Sequence, residues 1–547
     1  MLIKQMLFFI IFLFNFTSIF CHKCATDLLI KKLNMKPINT TNRINKRRLD
    51  LVYTPIQIKI DYTVLNLQKN VGQISNDIYQ KYKTELESVA NYLNKIIKVY
   101  HEVFDHTNII DKINQNCFSY SSIRINKIDN IDSYDLIIFP QVDEQILKNN
   151  AIAAATHCLL SEQTNRPIVG IILLKKELNS KLDIDHYIRK TLFHEFFHVL
   201  GFNYQFFEGR SYTENNYFYL NSPKLLEKAT VHFGCDNIKG IRMEDQGETG
   251  TVGSHWDARY MLGELMIGED YPEIVLSDMT LAFLEDLGFY QVNYYTGGLF
   301  RFGKNEGCAF LQKKCVYDKG HSTSFPNEFC TDSKKPFCSG SHTSKGLCYI
   351  IKYNKDVPEQ YQYYSEPKAG GKPIVDYCPV SFYYQSEDND NDNYNYPTNC
   401  IYGKKDYNDE IIGSNSMCFE SSVNIGVKTS KCYEMTCDTK NKKINVVIGE
   451  RTITCDGTKS EITNPDGLQG TLKCPDYNMV CTSDIWCNDI FDCIDKQSTT
   501  DFKTFDYISN KNELKKRDEQ HLSVADDKNK YIWPNFILLF IFVFNFI

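Results

Sequence analysis

The chain has 547 residues, of which 42% are hydrophobic and 24% charged, and its formal net charge is -7 at pH 7. A chain of this length is too long for one compact core, and it predicts roughly three or four domain-sized units. The composition is that of a globular protein and excludes wholesale disorder. No basic block is large enough to neutralise a nucleic-acid backbone, so we expect no nucleic-acid partner. The twenty cysteines favour an oxidising compartment.

The N-terminal end has the pattern of a secreted precursor. Lys4 precedes an apolar run that reaches Phe20, which predicts a signal peptide over residues 1–21. Residues 22–48 are polar and basic and end in Lys46-Arg47-Arg48, which looks like a processing site. We therefore interpret residues 22–48 as a pro-segment.

The C-terminal end has the pattern of a lipid-anchored protein. Residues 501–525 form a predicted charged stalk, and residues 532–547 are uncharged but shorter than the roughly twenty residues that span a bilayer. Residues 526–547 are therefore predicted to be a GPI-attachment signal, with Ser523 as the candidate attachment residue. Asp526 is the alternative attachment residue, and a short transmembrane helix is the alternative anchor.

Strand and helix signals alternate between residues 49 and 201. Residues 56–62 alternate as a strand does, and the runs 136–140 and 168–174 have the composition of buried strands. Ser75 opens a long helix whose predicted apolar face is Ile78, Tyr82, Leu86, Val89, Leu93, Ile96 and Tyr100. A second helix begins near Asp183 or Asp185 and ends at Gly201.

That second helix contains the sequence His194-Glu195-Phe196-Phe197-His198. Histidines four residues apart on a helix share one face, so both imidazoles can bind one ion. Glu195 is placed to take a proton from water that the metal has activated. The alternative is a helix with two surface histidines, which the secretory context and the apolar residues around the motif disfavour.

A third ligand is needed to complete a site of this kind. The short metzincin pattern would place it at residue 204, but that residue is Tyr204, a poor zinc ligand. His232 and His255 are the downstream candidates. His255 lies in Gly253-Ser254-His255-Trp256-Asp257, and Met266 follows in Gly263-Glu264-Leu265-Met266.

These two segments resemble the leishmanolysin family, metzincin peptidases that carry Ser-His-Trp-Glu followed by Asp-Glu-Leu-Met. The resemblance implies that His255 is the third zinc ligand and that Met266 forms the turn beneath the metal. Asp257 and Gly263 depart from the family pattern, but neither is a ligand. The resemblance extends to Arg166-Pro-Ile-Val-Gly170 and to Asp376-Tyr-Cys-Pro-Val380.

The pro-segment also resembles that of the family. His22-Lys-Cys24-Ala-Thr26-Asp27 looks like its motif His-x-Cys-x-His-Asp, with Thr26 in place of the second histidine. The resemblance implies that Cys24 caps the zinc in a latent precursor. Without Cys21 and Cys24, eighteen cysteines remain, enough for nine disulfides, and Cys117 with Cys158 is the one pair that we predict.

The predicted fold is α+β: a metzincin-like catalytic region with a twisted mixed sheet and an active-site helix, then a mainly β, disulfide-rich domain. The predicted boundaries are 49–201 for the N-terminal subdomain, 202–300 for the central subdomain and 301–500 for the cysteine-rich domain. The resemblance also implies that substrate lies along an edge strand of the sheet, for which residues 151–157 are the candidate.

The predicted activity is hydrolysis of internal peptide bonds at the cell surface with one Zn²⁺ per chain, acting on protein or peptide substrates. The alternatives are a catalytically inactive surface adhesin or receptor, and a zinc hydrolase with a non-peptide substrate.

Overall fold

The computed structural model describes residues 23–35, 52–102, 108–119, 121, 123–147, 151–178, 184–246, 251–269, 271, 274–294, 300–333, 335–382, 399–401, 403, 405–481 and 490–496. The predicted signal peptide, stalk and GPI-attachment signal, with Ser523 and Asp526, lie outside these residues. The predicted processing site also lies outside them.

The strands of the N-terminal region are β1 (Lys23–Cys24), β2 (Tyr53–Pro55), β3 (Ile58–Ile60), β4 (Ile97–Tyr100), β5 (Leu136–Val142), β6 (Ala151–Leu160) and β7 (Pro167–Leu174). Five of them form a mixed sheet in the order β1-β6-β7-β5-β3, in which β6 and β7 are antiparallel and the other neighbours are parallel. β7 is buried along its whole length and β5 over nearly all of it, because helices or loops cover both faces of the sheet. This burial explains their continuous apolar sequences.

The helices of this region are α1 (Thr26–Lys32), α2 (Thr63–Asn70), α3 (Asn76–Ile96), α4 (Ile109–Asn116) and α5 (Ile184–Leu200). Ser75 caps α3 as predicted, since its hydroxyl accepts a hydrogen bond from the Ile78 N–H. The predicted apolar face is wrong at its last member. Tyr100 lies in β4 with an exposed side chain, because the β-branched residues after Ile96 pair with β2 and a later strand.

Helix α5 packs closely against the sheet. Leu192, Phe196 and Val199 are buried on the helix side of this contact. Gly170 in β7 allows the close approach, because a Cβ atom there would lie 2.4 Å from a Val199 methyl carbon. α5 ends at the predicted glycine, since Gly201 has φ of 122°, a conformation that L side chains rarely adopt.

The central region contains β8 (Ser211–Glu214), β9 (Tyr217–Leu220), α6 (Pro223–Phe233), β10 (Ile241–Arg242), α7 (Ala258–Met261), α8 (Asp278–Asp286) and β11 (Tyr290–Val292). β8 and β9 form a hairpin whose turn residues Asn215 and Asn216 both have positive φ. β11 pairs with β4, which ties the central region to the N-terminal one. Irregular segments on either side of α7 carry His255 and Met266.

The C-terminal region is mainly β, as predicted. Its helices are α9 (Cys308–Gln312), α10 (Tyr477–Val480) and α11 (Ile490–Asp495). Its strands are β12 (Pro336–Cys338), β13 (Lys345–Cys348), β14 (Ile351–Lys352), β15 (Ala369–Gly370), β16 (Ser381–Phe382), β17 (Ser416–Ser421), β18 (Thr429–Asp438), β19 (Lys443–Ile448), β20 (Arg451–Cys455), β21 (Glu461–Thr463) and β22 (Thr471–Lys473). The largest sheet is antiparallel, in the order β20-β19-β18-β17-β22-β21. These elements confirm the predicted α+β fold.

Eight disulfides join described cysteines. The predicted pair Cys117–Cys158 is confirmed. The others are Cys235–Cys308, Cys315–Cys378, Cys330–Cys348, Cys338–Cys418, Cys400–Cys432, Cys437–Cys481 and Cys455–Cys474. Cys493 is also disulfide-bonded, and Cys24 is the free cysteine of the described part of the chain. Over the same residues, no helix is both long enough and apolar enough to cross a bilayer.

Candidate metal centre

Three imidazoles meet beside the C-terminal half of α5. His194 and His198 lie one helical turn apart, and their Nε2 atoms are 3.0 Å from each other. The Nε2 atom of His255 lies 3.1 Å from that of His198 and 3.3 Å from that of His194. All three side chains are buried.

The other downstream candidate, His232, lies elsewhere. Its Nε2 bonds the carbonyl oxygen of Phe302 at 2.9 Å, and its ring stacks on Phe300. The structure thus brings His255 to the pair on α5 and leaves His232 half-buried beside Phe300.

Backbone carbonyls orient all three rings. The Nδ1–H groups of His194, His198 and His255 donate to the carbonyl oxygens of Leu265, Phe202 and Thr251, at 2.6, 2.6 and 2.8 Å. Each bond assigns the ring proton to Nδ1, so every Nε2 presents a lone pair to the shared centre. Burial lowers the pKa of His194 to about 4 and that of His255 to about 3, which keeps both rings neutral.

This donor set fits a zinc ion. Zn–N bonds of 2.0–2.1 Å in a tetrahedral site separate two nitrogen ligands by about 3.3–3.4 Å, close to the 3.0–3.3 Å found between the Nε2 atoms. Three neutral imidazoles leave one coordination position open, which is typical of catalytic rather than structural zinc.

A thiol occupies the position next to the three imidazoles. Cys24 Sγ lies 3.4 Å from His198 Nε2, and Cys24, His194, His198 and His255 together form a group that could hold a metal. Burial and the nearby Glu195 carboxylate raise the pKa of the Cys24 thiol well above its usual value. A bound cation would lower the pKa of this thiol and favour the thiolate.

Glu195 lies beside the centre and is 1% exposed. Its carboxylate oxygens lie 3.5 Å from Cys24 Sγ and 3.5 Å from Thr26 Oγ1. Burial raises the pKa of Glu195 to about 8, although hydrogen bonds from Cys24 and Thr26 oppose that rise. The sequence motif thus places a carboxylate next to the imidazoles without making it a ligand.

The described part of the predicted pro-segment covers the predicted substrate edge. β1 pairs with β6 in parallel, with Lys23 opposite Ala151 and Cys24 opposite Ala153. The Thr26 hydroxyl donates to the Ala155 carbonyl at 3.0 Å and accepts from the Ala155 N–H at 3.3 Å. Strand β6 is therefore second from the edge in this form of the protein.

Two contacts of the pro-segment were missed from the sequence. Thr26 appeared there only as a departure from the family motif, whereas its hydroxyl contacts both β6 and Glu195. The Ser254 hydroxyl donates to Asp27 Oδ1 at 2.5 Å, and burial raises the pKa of Asp27 to about 6. Ser254 and Asp27 each lie in a segment that resembles the family, but nothing in the sequence linked one residue to the other.

Met266 lies in the irregular segment after α7 and is fully buried. Its carbonyl oxygen accepts a hydrogen bond from the Trp256 N–H at 2.9 Å, which joins it to the residue after His255. The preceding residue, Leu265, supplies the carbonyl that orients His194. Met266 thus belongs to a turn whose backbone bonds His194 and the residue after His255.

A second group of potential metal ligands consists of three aspartates, and an arginine side chain lies among them. Asp245, Asp257 and Asp376 could together hold a metal ion, but the guanidinium of Arg242 lies 2.7–3.0 Å from all three. The cluster therefore already contains its cation. Asp376, from the segment 376–380 picked out in the sequence, links the C-terminal region to the residues after His255.

The mixed sheet, the helix-borne His-Glu-x-x-His pair, the distant third histidine and the methionine turn define a metzincin-like fold. A model of the leishmanolysin family matches residues 102–487, well over half of the chain. The protein belongs to the leishmanolysin family, a family of metallopeptidases.

Three relatives illustrate the similarity. A leishmanolysin homolog from Crithidia fasciculata is 29% identical over 351 residues, which cover 59% of this chain and 52% of that protein. A leishmanolysin-like peptidase from Drosophila pseudoobscura pseudoobscura is 25% identical over 477 residues, covering 71% and 69%. Leishmanolysin from Leishmania major is 27% identical over 367 residues, covering 62% and 58%. The match thus spans about half the length of the Crithidia protein.

Proposed function

We propose that the protein is a zinc endopeptidase in which His194, His198 and His255 bind the metal and Glu195 is the general base. The observation that carries this proposal is the convergence of three oriented Nε2 atoms beside a buried, non-ligating carboxylate. Membership of a metallopeptidase family supports the same reaction.

The residues of the site have separate tasks in this reaction. Zinc would supply a Lewis acid that polarises the scissile carbonyl and lowers the pKa of water to about 7. Glu195 accepts the proton of the attacking water and returns it to the leaving amine. Once β1 has left, the free edge of β6 can pair with the substrate backbone and hold an extended peptide across the centre.

Proteolysis of a denatured protein substrate, measured with and without a zinc chelator, tests the proposal. We expect cleavage of a protein whose termini are blocked, loss of cleavage with the chelator and recovery on adding zinc. A folded, metal-loaded protein that cleaves nothing would instead indicate an inactive adhesin or receptor. Metal-dependent hydrolysis restricted to non-peptide esters would indicate a hydrolase of another class.

We further propose that the pro-segment keeps the precursor latent. Cys24 lies where a fourth ligand would bind, and β1 covers the strand to which a substrate would add. The precursor should be inactive and should become active with mercurials, which react with the thiol. Precursor carrying Cys24→Ala should be active without treatment, and a folded, metallated C24A precursor that stays inactive would contradict this role.

We also propose that the enzyme acts at the cell surface through a glycolipid anchor at Ser523. The eight disulfides support an extracytoplasmic location, and the uncharged tail after the charged stalk supports the anchor. Phosphatidylinositol-specific phospholipase C should release the enzyme from intact cells. A tryptic peptide of the mature protein that extends past Tyr531 would contradict the anchor.

A further inference from the structure

Glu264 is a fully buried carboxylate at the centre of the methionine turn. Its Oε2 accepts a hydrogen bond from the Met266 N–H at 2.5 Å. Its Oε1 accepts three more, from the Ser277 N–H at 3.0 Å, the Ser277 hydroxyl at 2.8 Å and the Thr280 hydroxyl at 2.6 Å. One side chain therefore joins the turn to the first residues of α8.

The hydrogen bonds of Glu264 bear first on the orientation of His194. Leu265 lies between Glu264 and Met266, and its carbonyl oxygen accepts the Nδ1–H of His194 at 2.6 Å. Glu264 holds the residue after Leu265, and the Leu265 N–H donates to the Val275 carbonyl at 2.7 Å. The carbonyl that orients His194 is thus held from both sides.

The second consequence concerns His255. The indole N–H of Trp256, the next residue, donates to the Thr280 hydroxyl at 2.8 Å, and that hydroxyl donates to Glu264. The Trp256 N–H also donates to the Met266 carbonyl at 2.9 Å. Both the side chain and the backbone of Trp256 are therefore tied to the turn that Glu264 organises.

We propose that Glu264 is a positioning residue for the metal centre, which fixes His194 through the Leu265 carbonyl and His255 through Thr280 and Trp256. This inference rests on the proposed function, because it takes the three histidines to be the zinc ligands. Glu264 contacts none of the imidazoles. It acts by holding the backbone and side-chain groups that orient them.

A carboxylate suits this position better than its amide. Four donors point at Glu264, and an ionised carboxylate accepts on both oxygens. A glutamine has one acceptor oxygen, so its NH₂ group must face either the Met266 N–H or the three donors around Oε1. Glu264→Gln therefore loses at least one bond while the volume of the side chain is kept.

The rate of zinc release from the mature, zinc-loaded enzyme to an excess of a chromophoric chelator tests the proposal. We expect Glu264→Gln to release zinc about 10–100-fold faster than wild type, because removing an outer-sphere partner of a metal ligand usually lowers the metal affinity by about 10–100-fold and the loss should fall on the release rate. Visible absorption of the cobalt-substituted enzyme should change as well, because ligand orientation sets that spectrum.

Glu410→Gln is the matched control. Glu410 is also fully buried and accepts the N–H groups of Asp406, Tyr407 and Cys432, but it lies in the C-terminal region, and its ion pair is with Lys345. Zinc release from E410Q should match wild type even if its thermal stability falls. Equal acceleration in E264Q and E410Q would overturn the proposal, because it would indicate a general loss of stability.

Thr280 offers a second test if E264Q does not fold. Thr280→Val keeps the shape but removes the hydroxyl between Trp256 and Glu264, whereas Thr280→Ser keeps the hydroxyl. We expect T280V to accelerate zinc release and T280S to retain the wild-type rate, whatever the order of their stabilities. Wild-type release from T280V would overturn the proposal, while a wild-type enzyme that binds no zinc would contradict the proposed function itself.

Discussion

The metal centre has two halves that are built differently. His194, Glu195 and His198 lie on one helix, where the 3.6-residue repeat alone brings both imidazoles to one face. His255 and Met266 lie in irregular segments, where hydrogen bonds among Glu264, Trp256, Thr280 and neighbouring carbonyls fix the geometry. The helix repeat therefore brings two of the histidines to one face, whereas a buried polar network places the third and orients His194.

The proposed pro-segment contacts both halves. Cys24 and Thr26 approach His198 and Glu195 on the helix, whereas Asp27 bonds Ser254, next to His255. Substitutions that act on one half at a time can therefore separate catalysis, metal binding and latency.

The largest effect is expected in the helix half of the centre, which consists of His194, Glu195 and His198. Glu195→Ala in the mature enzyme should reduce peptide hydrolysis by about 10³–10⁴-fold, because it removes the general base. Zinc content, measured by mass spectrometry of the metal, should remain at one ion per chain, since the carboxylate is not a ligand. Near-normal turnover in E195A would contradict the base role.

The next largest effect is expected in the loop half of the centre, which contains His255 and Met266. His255→Ala should lose zinc and activity together, because two imidazoles on α5 form an incomplete site. His232→Ala should retain both, although its half-buried ring packs against Phe233 and Phe300. Dialysis against a zinc buffer measures the affinities, and the reverse ranking of the two variants would move the third ligand to His232.

Thr26→Val tests how strongly the pro-segment is held at the helix half. Valine keeps the size but loses both hydrogen bonds with Ala155 and the contact with Glu195. At about 1 kcal/mol for each of the two hydrogen bonds with Ala155, the precursor should activate roughly 30-fold faster. The Thr26→Ser precursor should activate at the wild-type rate. A T26V precursor that also activates at the wild-type rate would show that the hydroxyl does not contribute to latency.

The smallest effect is expected from Asp27 at the loop half. Docking of the pro-segment onto the catalytic region buries the Asp27 carboxyl and raises its pKa from an ordinary 3.8 to about 6. The docked form therefore retains the Asp27 proton more tightly. This carboxyl therefore favours docking most at low pH, and its contribution is lost as the pH rises from about 4 to about 6.

Asp27→Asn removes that titration and retains an acceptor for Ser254. The D27N precursor should activate several-fold more slowly than wild type at pH 7, and the ratio of the two rates should approach one near pH 4. A ratio that does not change with pH would show that Asp27 does not titrate on docking.

The two halves also differ in how far the sequence predicts them. The spacing of His194 and His198, the buried apolar residues of α5 and the terminal Gly201 were sufficient for the helix half. His255 needed the family resemblance, because irregular backbone has no repeat from which a side chain's direction can be inferred. Tyr204 is disfavoured on chemistry alone, since phenol is a poor zinc ligand.

Other features depended on contacts that are distant in sequence. Cys117–Cys158 was predictable because few other cysteines lie near it, whereas the seven later pairs have no unique solution from spacing. Tyr100 was placed wrongly because apolar residues at helical spacing also fit a strand that follows directly. The network of Glu264, Thr280 and Trp256 joins residues 24 positions apart at most, but no periodic pattern predicts its hydrogen bonds.

X-ray diffraction from crystals of the mature protein at the zinc absorption edge tests the central claim most directly. We expect one anomalous peak per chain, about 2.0–2.1 Å from the Nε2 atoms of His194, His198 and His255, with Glu195 outside bonding distance. A peak bound by His232, or no peak in crystals of an enzyme that still cleaves peptides, would contradict it.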